Sequence, residues 1–197
     1  MTLHPVVAFL DRELRGRDRI QAARRSGAIA LMRSAERAGA PFAGAPTEFP
    51  TDDDGVPQPL EGWFWSLAHT RGLVCGMVAT APVGIDVEWL ERRRWKHTRD
   101  YFVEYAPDEL VEIGGDDAAS VLSLWTAKEA VLKRAGIGLS DLARCPVVAR
   151  VGEHEFLIQH RGQDVHVRRI FFGQYVLAVA FEESVELELA TLPELVA

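Results

Sequence analysis

This chain has little cysteine, no net positive charge and no long apolar run, and each shortage closes off a class of protein. The two cysteines, Cys75 and Cys145, are too few for a disulfide framework, and their spacing fits no metal motif. They read as buried free thiols of a cytoplasmic protein. No stretch reaches the roughly 18–20 apolar residues that a membrane span needs. Met1-Thr2-Leu3-His4-Pro5 has no basic region followed by an apolar stretch, so no signal peptide is expected. A formal net charge of −7 argues against a general nucleic-acid binder.

What is there is ordinary for a soluble globular protein: 48% hydrophobic and 26% charged residues. A length of 197 residues suffices for one large domain or two smaller halves that share a core. The charge is unevenly placed. Arg12, Arg15, Arg17, Arg19, Arg24 and Arg25 crowd the N-terminal segment, and Arg92, Arg93, Arg94, Lys96 and Arg99 form a second basic run. Acid collects in Asp52-Asp53-Asp54, in Asp116-Asp117 and towards the C-terminus. Each basic run is either a solvated helix face or a docking site for an anion or an acidic partner.

Hydrophobic periodicity predicts helix over residues 5–39, where Ile20, Ala23, Ala28, Leu31 and Ala35 recur mostly at three- and four-residue steps. Residues 39–59, with Gly44, Pro46, Pro50, Asp52-Asp53-Asp54, Gly55, Pro57 and Pro59, read as a loop. Strands are expected over 63–67, 73–79 and 83–89, with a turn at 69–72. Helix is expected over 101–113, with a new turn at Pro107 and Asp108, and again over 118–135, stopped by Gly136 and Gly138. Strands follow over 147–151, 155–160, 165–172 and 175–181. The segments 72–79 and 173–180 resemble each other, each a glycine followed by an apolar strand ending in Val-Ala.

Two short segments carry the chemistry. In Val83-Gly84-Ile85-Asp86-Val87-Glu88, strand alternation puts Asp86 and Glu88 on one face. Two carboxylates side by side repel unless a cation lies between them, although an exposed or edge strand face would read the same way. In Trp125-Thr126-Ala127-Lys128-Glu129-Ala130-Val131-Leu132-Lys133, Glu129 and Lys133 lie one turn apart on a helix, with Lys128 about a hundred degrees round from Glu129. Alone, that pair reads equally as a surface ion pair. His69, at a turn shortly before the acidic strand, is placed to donate to a phosphate or simply to face water. Three carboxylates and two lysines together could hold a divalent metal on a phosphate and move a phosphoryl-linked group.

Taken jointly, these segments resemble the paired signature of the 4′-phosphopantetheinyl transferases, in the larger, Sfp-type branch. Gly55-Val56-Pro57-Gln58-Pro59 resembles that family's Gly-Lys-Pro-x-x-Pro loop, and Trp65-Ser66-Leu67-Ala68-His69 its Phe-Asn-x-Ser-His strand end. Tyr101-Phe102 with Asp108-Glu109 resembles the aromatic-rich segment between the signatures. The resemblance spans roughly residues 20–180. It implies an α+β fold of two similar α/β halves, 1–84 and 85–197, in a pseudo-twofold arrangement with the active site in the cleft between them. It implies transfer of the phosphopantetheine arm of coenzyme A to a serine of an acyl or peptidyl carrier protein, releasing adenosine 3′,5′-bisphosphate, as in holo-acyl-carrier-protein synthases.

Carried over by position, the resemblance makes Asp86, Glu88 and Glu129 ligands of Mg2+, or Mn2+. Glu129 is also the candidate base for the serine hydroxyl, and Lys133 the group that stabilises the leaving phosphate. His69 and Lys128 are implied to contact coenzyme A phosphates, Arg25 its 3′-phosphate, and Glu109 is a further acid near the site. The expected protein is cytoplasmic and monomeric, with coenzyme A and a carrier as partners and neither nucleic acid nor membrane. Ala68 stands where the family has serine and Val56 where it has lysine, so either weaker coenzyme binding or the use of other basic residues, such as Arg24 and Arg71, is expected. A member that binds carrier or coenzyme without transfer, and a metal-dependent phosphoesterase, are the alternative readings.

Overall fold

The computed structural model describes residues 1–44, 48–92, 94–183 and 185–192, and the chain divides into two compact units. One holds residues 1–83 with the chain's return from Val185, and the other begins at Gly84. The fold is mixed α+β, as the sequence implies.

In the first unit, β1 (Thr2–Leu3), β2 (Val6–Phe9), α1 (Gly16–Ala38), β3 (Phe64–Thr70) and β4 (Leu73–Ala79) follow in order. Helix was expected from residue 5, but Val6–Phe9 is a strand whose first three residues are fully buried. A Val-Val-Ala-Phe run suits a pleated, covered surface better than a helix, and Gly16, with φ of 53°, turns the chain into α1. The sheet includes the order β2-β4-β3, with β4 antiparallel to both β2 and β3. α1 lies on β4, and Ser34 fastens it there: its hydroxyl donates to His4 O at 2.7 Å and accepts from Val78 N at 2.9 Å. The helix ends in a left-handed Gly39 with φ of 75°, whose N–H caps the last turn.

The second unit begins with β5 (Gly84–Trp89), then α2 (Trp95–Tyr105), α3 (Pro107–Ile113) and α4 (Ala118–Arg134). A 3₁₀ turn over Leu139–Arg144 leads to β6 (Val147–Arg150), β7 (Glu155–His160), β8 (Gln163–Phe172) and β9 (Tyr175–Phe181). The sheet is antiparallel in the order β5-β9-β8-β7-β6. β9 is buried along its whole length, which explains its unbroken apolar run. α4 starts on Asp117, whose carboxylate accepts from Ala119 N at 2.8 Å and Ser120 N at 3.1 Å. Its inner face, including Leu122, Leu124, Ala127, Ala130 and Val131, is at most 1% exposed.

The last described segment departs from the expected division, which assigned all of 85–197 to the second half. β10 (Glu186–Leu187) pairs in parallel with β1, and β11 (Ala190–Leu192) pairs in parallel with β2, so residues 185–192 complete the first unit. Parallel partners need a long crossover, and here the whole second unit is the crossover.

Candidate functional site

β5 and α4 touch more closely than side chains normally allow. A Cβ at Gly84 would stand 1.9 Å from Ala130 O and 2.6 Å from Arg134 N, so only glycine permits the contact. Alternation puts Asp86 and Glu88 on the same face as Gly84, the face turned to α4. The opposite face carries Ile85 and Val87, at 0% and 2% exposure. The acids therefore lie against a helix rather than on an open strand surface.

The helix answers with Lys133, whose Nζ donates to Asp86 Oδ1 at 2.7 Å. Asp86 is itself only 7% exposed. Glu88 accepts from Arg92 Nη1 at 2.5 Å. The Arg92 guanidinium lies 5.9 Å from the centre of the Trp125 ring, one turn before Glu129 on α4. The sequence offered Arg92 only as one of a basic run. The usable signal was that Arg92 directly follows the acidic strand, within side-chain reach of Glu88.

The electrostatics mark these groups as one cluster. Burial raises the carboxyl of Asp86, and Lys133 opposes the rise. Burial, then the charge of Asp86, pushes Glu88 up to about 7, with Glu129 adding to the rise and Arg92 opposing it. Glu129 is raised by burial and then by Asp86, against Lys133 and Arg92. Each acid destabilises the next, the condition that a shared cation relieves. In the present arrangement no group of three or more Asp, Glu, His or Cys side chains among the described residues encloses an ion by itself. Hard carboxylate oxygens suit magnesium, which is held by a few carboxylates and completes its shell with water and phosphate.

Lys128 goes elsewhere. It is 2% exposed, and its ammonium lies 2.8 Å from Glu109 Oε2 and 2.9 Å from Oε1. Glu109 Oε2 also accepts from Val147 N at 2.9 Å. Lys128 is thus an interior strut joining α4, α3 and β6. Glu109 is absorbed in the same strut.

In the first unit, His69 is exposed at the end of β3 and lines a cavity of about 300 Å³ with Arg19, Arg24, Ile20, Ala23, Leu67 and Val74. Arg25 is exposed but does not line it. An adjoining cavity of about 320 Å³ is walled by Arg12, Arg15, Arg19 and Arg71. Arg19, at the start of α1, was not singled out from the sequence and borders both. Ala68 is 3% exposed, its methyl turned inward. Val56 sits in a turn organised by Asp52, whose Oδ1 accepts from Asp54 N at 3.0 Å and Val56 N at 2.8 Å. That turn accounts for one acid of the Asp52-Asp53-Asp54 run.

No curated protein matches the chain in a sequence comparison. A family model does, over residues 82–180, half of the 197-residue chain. The matched span opens just before Gly84, takes in the acidic strand and the Trp125–Lys133 helix segment, and closes in β9. Asp86, Glu88, Glu129 and Lys133 all lie within the matched span, and by that match the chain belongs to the 4′-phosphopantetheinyl transferase superfamily.

Proposed function

We propose that the chain moves the 4′-phosphopantetheine group from coenzyme A to a serine of an acyl or peptidyl carrier protein, in a magnesium-dependent reaction that releases adenosine 3′,5′-bisphosphate. The observation that carries this reading is the convergence of Asp86, Glu88, Glu129 and Lys133 on one face between β5 and α4. Family membership supports phosphopantetheine transfer as the reaction type.

The residues divide the work by their chemistry. Asp86, Glu88 and Glu129 are the oxygen donors for magnesium, which when bound neutralises charge on the coenzyme's pyrophosphate. Glu129, whose carboxyl is shifted towards basicity by burial and by Asp86, takes the serine proton directly or through a water. The serine oxygen bonds to the phosphorus that carries the pantetheine, and the bond from that phosphorus to the bridging oxygen breaks. The bisphosphate leaves with the bonding pair, and Lys133 stabilises the charge it carries away. Transfer of this type needs positioning and charge neutralisation more than covalent participation. Coenzyme phosphates are assigned to His69, Arg19 and Arg24, with Arg71 in the adjoining cavity. Arg25 and Lys128 receive no part in that grip, the first because it lies off the cavity wall and the second because it is spent on Glu109.

Ala68 and Val56 each lack a polar group the family carries, which favours a second reading in which the chain binds carrier or coenzyme without transfer. Release of adenosine 3′,5′-bisphosphate separates the readings. Transfer predicts release that requires a carrier, magnesium and an intact Asp86. Release without any carrier would instead mean a phosphoesterase, and none under any condition would mean a binding protein.

A further inference from the structure

Two of the chain's own cations already occupy the acid cluster. Lys133 holds Asp86, and Arg92 holds Glu88 at 2.5 Å. The Glu88 side chain is 14% exposed and that of Arg92 35%, so this pair is shielded on one side and open to solvent on the other. The guanidinium is braced from below by the Trp125 ring at 5.9 Å. Arginine cannot leave such a site by giving up its proton, so it leaves only by moving.

We propose that Arg92 is an internal counter-ion of Glu88 which a divalent cation must displace, so that it sets the metal concentration at which the carboxylate site fills. The proposal rests on the metal reading of Asp86, Glu88 and Glu129. Arg92 is a positioning residue here: it acts through Glu88. With no metal present it keeps three mutually repelling acids from loosening the contact between β5 and α4. When metal arrives, the guanidinium gives up Glu88 and keeps its place over Trp125, where the aromatic face still holds a cation. Arg94, exposed two residues later, serves as the control.

The test is a calorimetric titration of the metal-stripped full chain with MnCl2, run without coenzyme. Arg92→Ala is expected to bind Mn2+ about tenfold more tightly than the wild type, equivalent to about 1.4 kcal/mol. Arg92→Lys should stay near the wild type, and Arg94→Ala should match it. Arg92→Met keeps an apolar stem over Trp125 and serves where the alanine variant does not fold. A residue with only a structural role would leave metal binding unchanged or weaken it. If the wild type binds Mn2+, Asp86→Ala does not, and neither Arg92→Ala nor Arg92→Met binds more tightly, the counter-ion role is overturned and the metal reading stands. If wild type and Arg92 variants all fail to bind Mn2+, the metal reading fails and this role falls with it.

Discussion

Glu88 is pulled in opposite directions by its surroundings. Burial and the charge of Asp86 push its carboxyl up to about 7, where an exposed glutamate would ionise near 4.5. The folded chain therefore keeps a proton that the unfolded chain has released. Without metal, stability must fall as pH rises from about 4.5 towards about 7, because folding then takes up a proton from ever scarcer supply. Urea unfolding in the presence of a chelator, from pH 4.5 to 8, is expected to show that fall in the wild type. Glu88→Gln, which cannot ionise, should lose less stability over the same window. Parallel profiles for the two proteins would contradict the assignment.

Lys128 shows how one residue step misleads a sequence reader. Its neighbour Glu129 faces the acid cluster, but a hundred degrees of helical rotation turns Lys128 into the interior, against Glu109. Its positive charge was legible, and the partner that consumes the charge came from a different helix. Removing one member of a buried ion pair strands the other, so Lys128→Ala should cost roughly 3–5 kcal/mol in urea unfolding. Adding Glu109→Gln to Lys128→Met should recover much of that loss. A Lys128 variant that keeps full stability but loses coenzyme affinity would restore the ligand-contact role.

At the scale of elements, the contact between β5 and α4 is the hinge of the site, and Gly84 makes it possible. A methyl there would overlap the Ala130 carbonyl, which as helix backbone cannot turn aside. Gly84→Ala is expected to cost about 3 kcal/mol or more, and to part Asp86 from Lys133, lowering transfer activity well beyond the loss of folded protein. Thermal unfolding beside single-turnover activity measures both, and a stable, fully active variant would refute the close contact. Most elements of the second unit were readable because each has an unambiguous period: β9 is uniformly apolar, and α4 is capped by Asp117 and stopped by glycine. α2 was harder, since Trp95 to Arg99 looked like the tail of a basic run. β2 was hidden by the alanine and arginine pattern that continues into α1, and four residues are too few to assert a period of their own.

For the molecule as a whole, the sequence pointed to the right superfamily through the two segments that meet in the second unit, and it missed the chain's return to the first. β10 and β11 are two and three residues long, and strands that short leave no pattern to read. Charge distribution is also resolved by the fold. Of the basic run that looked able to dock an acidic carrier, Arg92 is held by Glu88, and Arg99 lies 3.0 Å from Asp116. Arg93 is outside the described residues, and Arg94 and Lys96 are exposed. A docking role for this run now falls on those last two. The Arg94→Glu, Lys96→Glu double variant should raise the carrier KM by about tenfold and leave the coenzyme A KM within about twofold, because steering charges act on the partner they face. Equal effects on both would exclude carrier docking at this run.

The central claim is that Asp86, Glu88, Glu129 and Lys133 form a site that places phosphopantetheine on a carrier serine. Intact-mass spectrometry of a panel of acyl and peptidyl carriers, each incubated with the protein, coenzyme A and magnesium, tests it most directly. The account predicts that at least one carrier gains the mass of a single phosphopantetheine, and that Asp86→Ala and Glu129→Ala, folded as the wild type, leave every carrier unmodified. No gain on any carrier, or a gain that persists within a few-fold in both variants, would contradict it.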